Sequence, residues 1–92
     1  MEQAVVFPTI DLILTGKRIE ETRRSRGLSV RDIQNYFGFE YPQAIYKWQH
    51  GESLPTVDNL VALCYLFQVR IEDLLVIKDQ GVLPRSYEKK AA

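Results

Sequence analysis

Hydrophobic residues recur every three or four positions over most of the 92-residue chain, which is the spacing of the buried side of an α-helix. Residues that favour helix ends interrupt this spacing at intervals. The pattern predicts five helices, at about 11–26, between Ser29 and Gly38, at about 42–50, from Thr56 to about Phe67, and at about 71–76. The chain is therefore expected to be all-α.

The predicted helix ends carry residues that suit those positions. Ser29 can accept a hydrogen bond from the first turn of the second helix, and Asp32 can complete a capping box. Pro42 fits the first position of the third helix, because the amide it lacks would be unpaired there. Glycine can end a helix in the left-handed conformation. It follows the first three helices, as Gly27, Gly38 and Gly51.

The same spacing predicts which sides of the helices are buried. Gly16 is expected to weaken the first helix, since glycine has a low helix propensity. In the third helix, Ile45 and Trp48 are predicted to point inward, with Ala44 beside them. The other predicted inward positions are Leu12, Ile19 and Thr22 in the first helix and Val57, Leu60, Val61, Leu63, Cys64 and Phe67 in the fourth.

The two ends of the chain lack the helical spacing. Residues 4–7 are small or β-branched apart from one phenylalanine, and Pro8 follows them, so they predict a brief strand or an extended arm. From Lys78 onward no period is visible, which predicts a flexible tail with a small apolar patch at Val82 and Leu83. The expected organisation is an arm over 1–10, one helical domain over 11–77 and a tail over 78–92.

The third helix has an outward side made of hydrogen-bonding residues without an acid. Glutamine can pair with adenine, lysine can reach guanine or phosphate, and tyrosine can contact a phosphate or a thymine methyl group. Such a side suits the major groove of DNA, although any solvated helix face is polar. Its members fall at i, i+3, i+4 and i+7 and are Gln43, Tyr46, Lys47 and His50.

The charge of the chain gives this interpretation little support, because the formal net charge is zero. Arginine is nevertheless concentrated between residues 18 and 31, whereas acidic residues outnumber basic ones between residues 52 and 79. Arg24 and Arg26, near the end of the first helix, are candidate neighbours of phosphate, while a solvated charged face is the plainer interpretation. The sequence predicts a bipolar molecule.

The sequence does not support a disulfide, a metal site, a catalytic site or a membrane segment. Cys64 is the single cysteine and His50 the single histidine, so neither a disulfide within the chain nor a metal cluster is expected. There is no phosphate-binding glycine loop and no convergent catalytic group, so we expect no enzyme, no cofactor and no small-molecule ligand. No apolar stretch has transmembrane length, and the start of the chain lacks the basic region of a signal peptide, which predicts a cytoplasmic protein without a membrane partner.

The order of short motifs along the chain resembles the lambda-repressor-like, Cro-type helix-turn-helix family, often called XRE-like. The resemblance covers about residues 16–75 and implies a bundle of five helices, here with a short extended arm before it and a mobile tail after it. It also implies that the second helix lies across the DNA backbone and the third enters the major groove. The motifs are GKRI at 16–19, RRSRGLS at 23–29, FG at 37–38, AIYKWQHG at 44–51, LP at 54–55, NL at 59–60, Leu63 and IEDLL at 71–75.

Carried onto this sequence, the resemblance implies DNA-contacting positions. Gln43 and Lys47 match base readers, with Tyr46 alongside them. Arg31 matches the start of the second helix, where such proteins grip phosphate, and the amides around Gly51 match a second contact to the DNA backbone. The other candidates are His50, which could face a phosphate, and Tyr41, whose position depends on the turn before the third helix.

Three departures from the family pattern carry predictions. The stretch between Gly38 and Ile45 is one residue longer than usual. Gln34 stands where a small alanine is usual, and the longer turn is expected to make room for it. Gln49 replaces a glutamate that would pair with Arg23, so we expect the two to lie together through a neutral hydrogen bond.

The sequence thus predicts a regulator of transcription that binds double-stranded DNA in a sequence-specific way. A repressor is expected, because no effector or activation domain is evident, and a homodimer is expected, because one such domain reads few bases. The alternative is a protein-interaction module that uses the same helical face. The neutral charge and the tyrosines at 36, 41 and 46 favour that alternative.

Overall fold

The computed structural model describes the backbone of residues 4–84 and the side chains of residues 8–78. Five helices occur in this part of the chain, as predicted, together with two strands. The helices form one bundle, so the prediction of an all-α domain is confirmed, and the strands are a minor addition. In chain order the elements are β1 (Ala4–Ile10), α1 (Leu12–Ser25), α2 (Val30–Phe37), α3 (Gln43–Gln49), α4 (Val57–Phe67), α5 (Ile71–Leu74) and β2 (Ile77–Pro84).

The ends of the helices are fixed by local hydrogen bonds. Ser29 and Asp32 form the predicted capping box at the start of α2: the amide of Asp32 donates to the Ser29 hydroxyl over 3.0 Å, and the amide of Ser29 donates to the Asp32 carboxylate over 2.8 Å. Gly38 ends α2 in the left-handed conformation. Thr56 caps α4 by accepting from the amide of Asn59. These short-range contacts explain why the bounds match the predicted ones closely.

The core lies between α1, α2, α3 and α4 and is closed by α5. Trp48 is its largest member, and the rings of Phe37 and Phe39 lie 5.7 and 6.0 Å from it, both edge to face. Because these two rings also stack on one another at 5.0 Å, the turn after α2 is part of the core. The buried apolar residues are Ile19, Ile33, Ile45, Trp48, Leu60, Leu63, Cys64, Phe67 and Leu74.

Three residues predicted to point inward are exposed instead. Leu12 is 39% exposed at the first turn of α1, and Val57 and Val61 are 74% and 42% exposed on α4. Apolar residues cover too wide an arc of α4 for the spacing to show which edge faces the core. On α1 the buried positions begin one turn later, at Thr15.

Gly16 has a structural role that helix propensity does not reveal. It is buried where α1 crosses the end of α3, and a Cβ atom there would meet the carbonyl oxygen of Trp48 and lie 2.7 Å from that of Gln49. Only a residue without a side chain lets the two backbones approach so closely. The glycine that was expected to weaken α1 therefore allows α1 to pack on α3.

The largest difference from the predicted organisation is at the ends of the chain. The arm and the first part of the predicted tail pair as an antiparallel sheet, from Ala4 opposite Pro84 to Ile10 opposite Ile77. The prediction of a tail without regular structure from residue 78 is therefore wrong as far as residue 84. Local spacing could not reveal this, because the two strands lie more than sixty residues apart and stabilise one another.

The remainder of the predicted tail, residues 85–92, lies outside the described residues, as do residues 1–3 and the side chains of the predicted apolar patch at Val82 and Leu83. Within the described part of the chain, no helix is both long enough and apolar enough to cross a membrane.

Candidate functional site

The helix α3 separates two kinds of residue as the sequence predicts. Ile45 and Trp48 are buried, and Ala44 is half-buried beside them. The residues of the predicted outward stripe, Gln43, Tyr46, Lys47 and His50, are all exposed. We call these four residues the α3 stripe. Because the inward side is fixed in the core, the helix presents the stripe on a rigid support.

A buried arginine connects α3 to α1. Arg23 is only 8% exposed, and its Nε donates to Oε1 of Gln49 over 2.9 Å, which confirms the predicted contact. Its Nη1 donates to the carbonyl oxygen of Leu28 over 2.8 Å. The guanidinium thus holds the end of α3 and the entry to α2 at once. Both acceptors are neutral, so the buried charge is satisfied by hydrogen bonds and not by an ion pair.

The longer turn between α2 and α3 is held by Gln34. Its Nε2 donates to the carbonyl oxygens of Phe39 and Glu40 over 3.3 and 3.2 Å. The prediction that the longer turn makes room for this side chain is therefore confirmed, and the side chain also fixes the turn. Tyr41 lies in this turn directly before α3 and is 62% exposed. Its ring is free to reach a surface that α3 contacts.

The three arginines predicted to bind phosphate differ in the hydrogen bonds and ion pairs that they form within the protein. Arg31 is exposed in the first turn of α2, and among the described residues no hydrogen bond or ion pair engages it. Arg24 forms an exposed ion pair with Glu20, at 2.8 Å. Arg26 donates through Nε to the carbonyl oxygen of Phe67 over 2.6 Å, and so joins the end of α1 to the end of α4. No pattern in the sequence predicts that contact, because it spans 41 positions.

The backbone at the end of α3, for which the family resemblance implies a DNA contact, is hydrogen-bonded within the protein. The amide of Gly51 donates to the carbonyl oxygen of Trp48 over 3.2 Å, and the amide of Glu52 donates to that of Lys47 over 2.9 Å. Neither amide is therefore free to bind a phosphate. Gly51 has φ of 74°, and a Cβ atom there would lie 2.8 Å from the α-carbon of Ile13. Its role is to end α3 tightly against α1.

An acidic residue adjoins the last turn of the α3 stripe. The carboxylate of Glu52 lies 3.7 Å from Nδ1 of His50, and both side chains are more than half exposed. The imidazole also stacks on the ring of Tyr46, with the ring centres 6.2 Å apart. Glu52 therefore reduces the positive potential at this end of the stripe, and Lys47 is the charge that dominates its centre.

The described residues contain no group of three or more histidine, cysteine or acidic side chains that could hold a metal ion. Burial raises the pKa of the Cys64 thiol, and the nearby carboxylates of Asp73 and Glu72 raise it further. A thiol of raised pKa is a poor nucleophile at neutral pH, because the thiolate is the reactive form. Cys64 therefore serves the core.

Comparison with known proteins identifies the fold. No family model and no curated protein matches the chain. Among solved structures, the DNA-binding domain of BldD matches at 19% identity with a TM-score of 0.62, over 72% of this chain and 94% of that one. The S. venezulae BldD DNA-binding domain matches at 19% identity with a TM-score of 0.61, over 72% of this chain and 97% of that one.

The restriction-modification controller protein C.AhdI from Aeromonas hydrophila is also similar, at 22% identity with a TM-score of 0.62, over 70% of this chain and 96% of that one. The chain therefore has the fold of lambda-repressor-like, XRE-like helix-turn-helix domains, and the resemblance in its motifs is confirmed at the level of the fold. In this fold α2 and α3 form the helix-turn-helix.

Proposed function

We propose that the protein is a transcriptional regulator that binds double-stranded DNA and places α3 in the major groove. The observation that carries this proposal is the α3 stripe: four exposed hydrogen-bonding residues without an acid, on the second helix of a helix-turn-helix whose inner side is fixed in the core. Solved domains of the same fold that are described as DNA-binding support it.

Within this proposal the residues have different roles. Gln43 and Lys47 read bases, since an amide can pair with adenine in two bonds and an ammonium can reach the acceptors of guanine. Tyr46 lies between them and contacts a thymine methyl group or a phosphate. Arg31 binds the backbone at the start of α2. The secondary contacts are Tyr41 and His50, followed by Arg24 and Arg26, whose guanidinium groups also hold other parts of the protein.

The regulator acts as a homodimer on two half-sites, because one helix in one groove reads too few base pairs for a specific operator. It acts as a repressor, since occupancy of an operator needs no surface beyond the helix-turn-helix and the dimer contact. Binding is expected to weaken steeply as salt rises, by about 0.9 logarithmic unit per phosphate contact for each tenfold rise, because each neutralised phosphate releases counterions.

Selection of bound sequences from a random duplex pool tests the proposal directly. A recurrent half-site, present twice at a fixed spacing, is the expected result. In the same assay Lys47→Ala and Gln43→Ala are expected to relax the preference at separate base positions, each with a loss of about 10-fold or more in affinity for the selected site. Lys17→Ala, which removes an equal charge from an exposed position of α1, is the matched control. Unchanged preference in both stripe variants would remove α3 as the reading element.

The second candidate function is a protein-interaction module on the same face. Three tyrosines near the helix-turn-helix favour it, because Tyr36, Tyr41 and Tyr46 are 48%, 62% and 44% exposed and tyrosine is enriched in protein interfaces. Salt separates the two functions. Binding to DNA falls with salt through release of counterions, whereas a complex centred on tyrosines changes little over the same range.

A further inference from the structure

The two strands form a surface that the helix-turn-helix does not use. We call β1 and β2 together the terminal ribbon. Each strand pairs with the other along its length, and neither packs extensively on a helix. The ribbon is attached at its root, where the amide of Asp11 donates to the carbonyl oxygen of Val76 over 2.8 Å and the amide of Val76 donates to the Thr15 hydroxyl over 2.9 Å. The described part of the chain measures 53 × 23 × 22 Å. Such an elongated shape is expected when a ribbon projects from a bundle.

A ribbon of this kind has an open edge that only another strand can complete. Two strands without a third strand or a covering helix are marginally stable in water, and each outer edge carries unpaired backbone donors and acceptors. Charged residues usually protect such an edge. The β1 strand contains no charged residue, whereas β2 carries Lys78 and Asp79 and ends at Pro84. The uncharged edge is therefore that of β1, along which Pro8, beside an irregularity in the pairing, is the one residue without a backbone amide.

Apolar side chains surround the root of the ribbon. Leu12, Ile13 and Leu14 follow β1 directly and are 39%, 58% and 46% exposed, and Ile77 at the start of β2 is 55% exposed. Three successive exposed apolar residues at the start of a helix are unusual in a surface that faces only water. They line a shallow depression together with Asp11, Gly51 and Lys78. The root of the ribbon thus carries exposed apolar side chains next to the open edge of β1.

We propose that this surface binds a second copy of the same chain through antiparallel pairing of the two β1 strands, which makes a four-stranded sheet. The proposal deepens the homodimer of the proposed function and rests on it, but it does not depend on which bases α3 reads. Antiparallel pairing of two identical strands is compatible with a twofold axis, so each chain offers the other the same uncharged edge. Because β1 contains no charged residue, its edge does not favour a charged partner.

The size of the surface also fits a second copy. Seven paired residues span about 23 Å, and edge pairing alone buries less than the roughly 800 Å² per partner of a standard interface. Because the strands are antiparallel, the tip of each ribbon lies beside the root of the other. The exposed apolar residues at each root, on the order of a few hundred Å², then add to the buried area. A short foreign peptide on the same edge would reach only one root.

A pair of lysine substitutions tests the proposal. Val6 and Val82 are opposite one another in the register of the ribbon, so Val6→Lys and Val82→Lys place the same charge on the same face, on β1 and β2 respectively. Sedimentation equilibrium of the full chain is expected to give a dimer. Val6→Lys is expected to raise its dissociation constant by about 10-fold or more, since each dimer then holds two like charges at the paired edge, and Val82→Lys is expected to change it by less than about 3-fold.

Circular dichroism of both variants verifies that the helices persist. A wild-type chain that is monomeric at all concentrations would overturn the proposal, as would a dimer that Val82→Lys weakens as much as Val6→Lys, or one that neither substitution weakens. Binding of a single selected half-site, measured for the wild-type chain and for Val6→Lys, separates the two ideas. If the wild-type chain is monomeric and still binds the half-site, the inference fails and DNA binding stands. If the wild-type chain forms a dimer that Val6→Lys weakens, but neither chain binds DNA, the inference stands and the proposed function fails.

Discussion

The helical bundle and the terminal ribbon are stabilised in different ways. In the bundle, α1, α2 and α4 begin at side-chain caps, and every helix buries one side in a common core. In the ribbon, the backbone of each strand is satisfied on one side only, by a strand from the other end of the chain. The bundle is therefore complete by itself, whereas each strand of the ribbon leaves one edge unpaired.

The largest expected effect in the bundle is at the crossing of α1 and α3. Gly16→Ala is predicted to lower the free energy of unfolding by about 3–4 kcal/mol, because its Cβ would meet backbone oxygen atoms that cannot move aside. Gly27→Ala is the matched control. A Cβ there meets no atom within 4 Å, so only the positive φ costs energy, about 1 kcal/mol. Urea unfolding of both variants checks this, and equal losses would mean that the crossing is not tightly packed.

The next effect is at the buried arginine. Arg23→Met keeps much of the side-chain volume but leaves Oε1 of Gln49 and the carbonyl oxygen of Leu28 without their donor, so the free energy of unfolding should fall by about 2–3 kcal/mol. Chemical denaturation measures this loss. A loss below about 0.5 kcal/mol would show that water replaces the guanidinium and that the network does not hold α3.

The opposite change is expected at the same contact. Gln49→Glu is predicted to raise the free energy of unfolding by about 1 kcal/mol at neutral pH, because a neutral hydrogen bond to Arg23 becomes charge-assisted. The carboxylate would ionise more readily in the folded state, so this gain should be lost as pH falls through its folded-state pKa. Denaturation at neutral and acidic pH tests the sign, and a loss of stability at neutral pH would contradict it.

The parts that could be predicted from the sequence depend on contacts between near neighbours. Ser29 and Asp32 are three positions apart, and their capping box follows from residue type and spacing. The inner and outer sides of α3 follow from the helical period. The pairing of Arg23 with Gln49 spans 26 positions and was predictable only because the chain resembles a family in which these positions meet.

The features that could not be predicted depend on contacts between segments that lie far apart in the sequence. Nothing local distinguishes Gly16 from a glycine that only weakens a helix, since its role is set by the carbonyl groups of α3. The hydrogen bond from Arg26 to Phe67 could not be predicted either, because its acceptor is a backbone carbonyl oxygen, which every residue has. In β2, Gly81 and Pro84 are residues that usually break regular structure, and the strand exists because β1 lies beside it.

The cap of α2 is a smaller effect within the bundle. Ser29→Ala is predicted to lower the free energy of unfolding by about 1 kcal/mol, since the amide of Asp32 loses its acceptor. Ser25→Ala is the control, because that hydroxyl donates to the carbonyl oxygen of Thr22 at the exposed end of α1 and caps no free amide. Thermal unfolding of the two variants checks the difference. Equal midpoints would mean that the capping box does not contribute to stability.

The smallest expected effect on the bundle comes from removing half of the ribbon. Deleting residues 1–9 leaves Asp11, which caps α1 through the amide of Leu14, and retains the bond between Asp11 and Val76. The free energy of unfolding of the helices is therefore predicted to change by less than about 1 kcal/mol, while the dimer is lost. Circular dichroism and sedimentation measure the two properties separately. A truncated chain whose helices unfold would show that the ribbon supports the bundle, and the contrast between a complete bundle and an incomplete ribbon would then have to be abandoned.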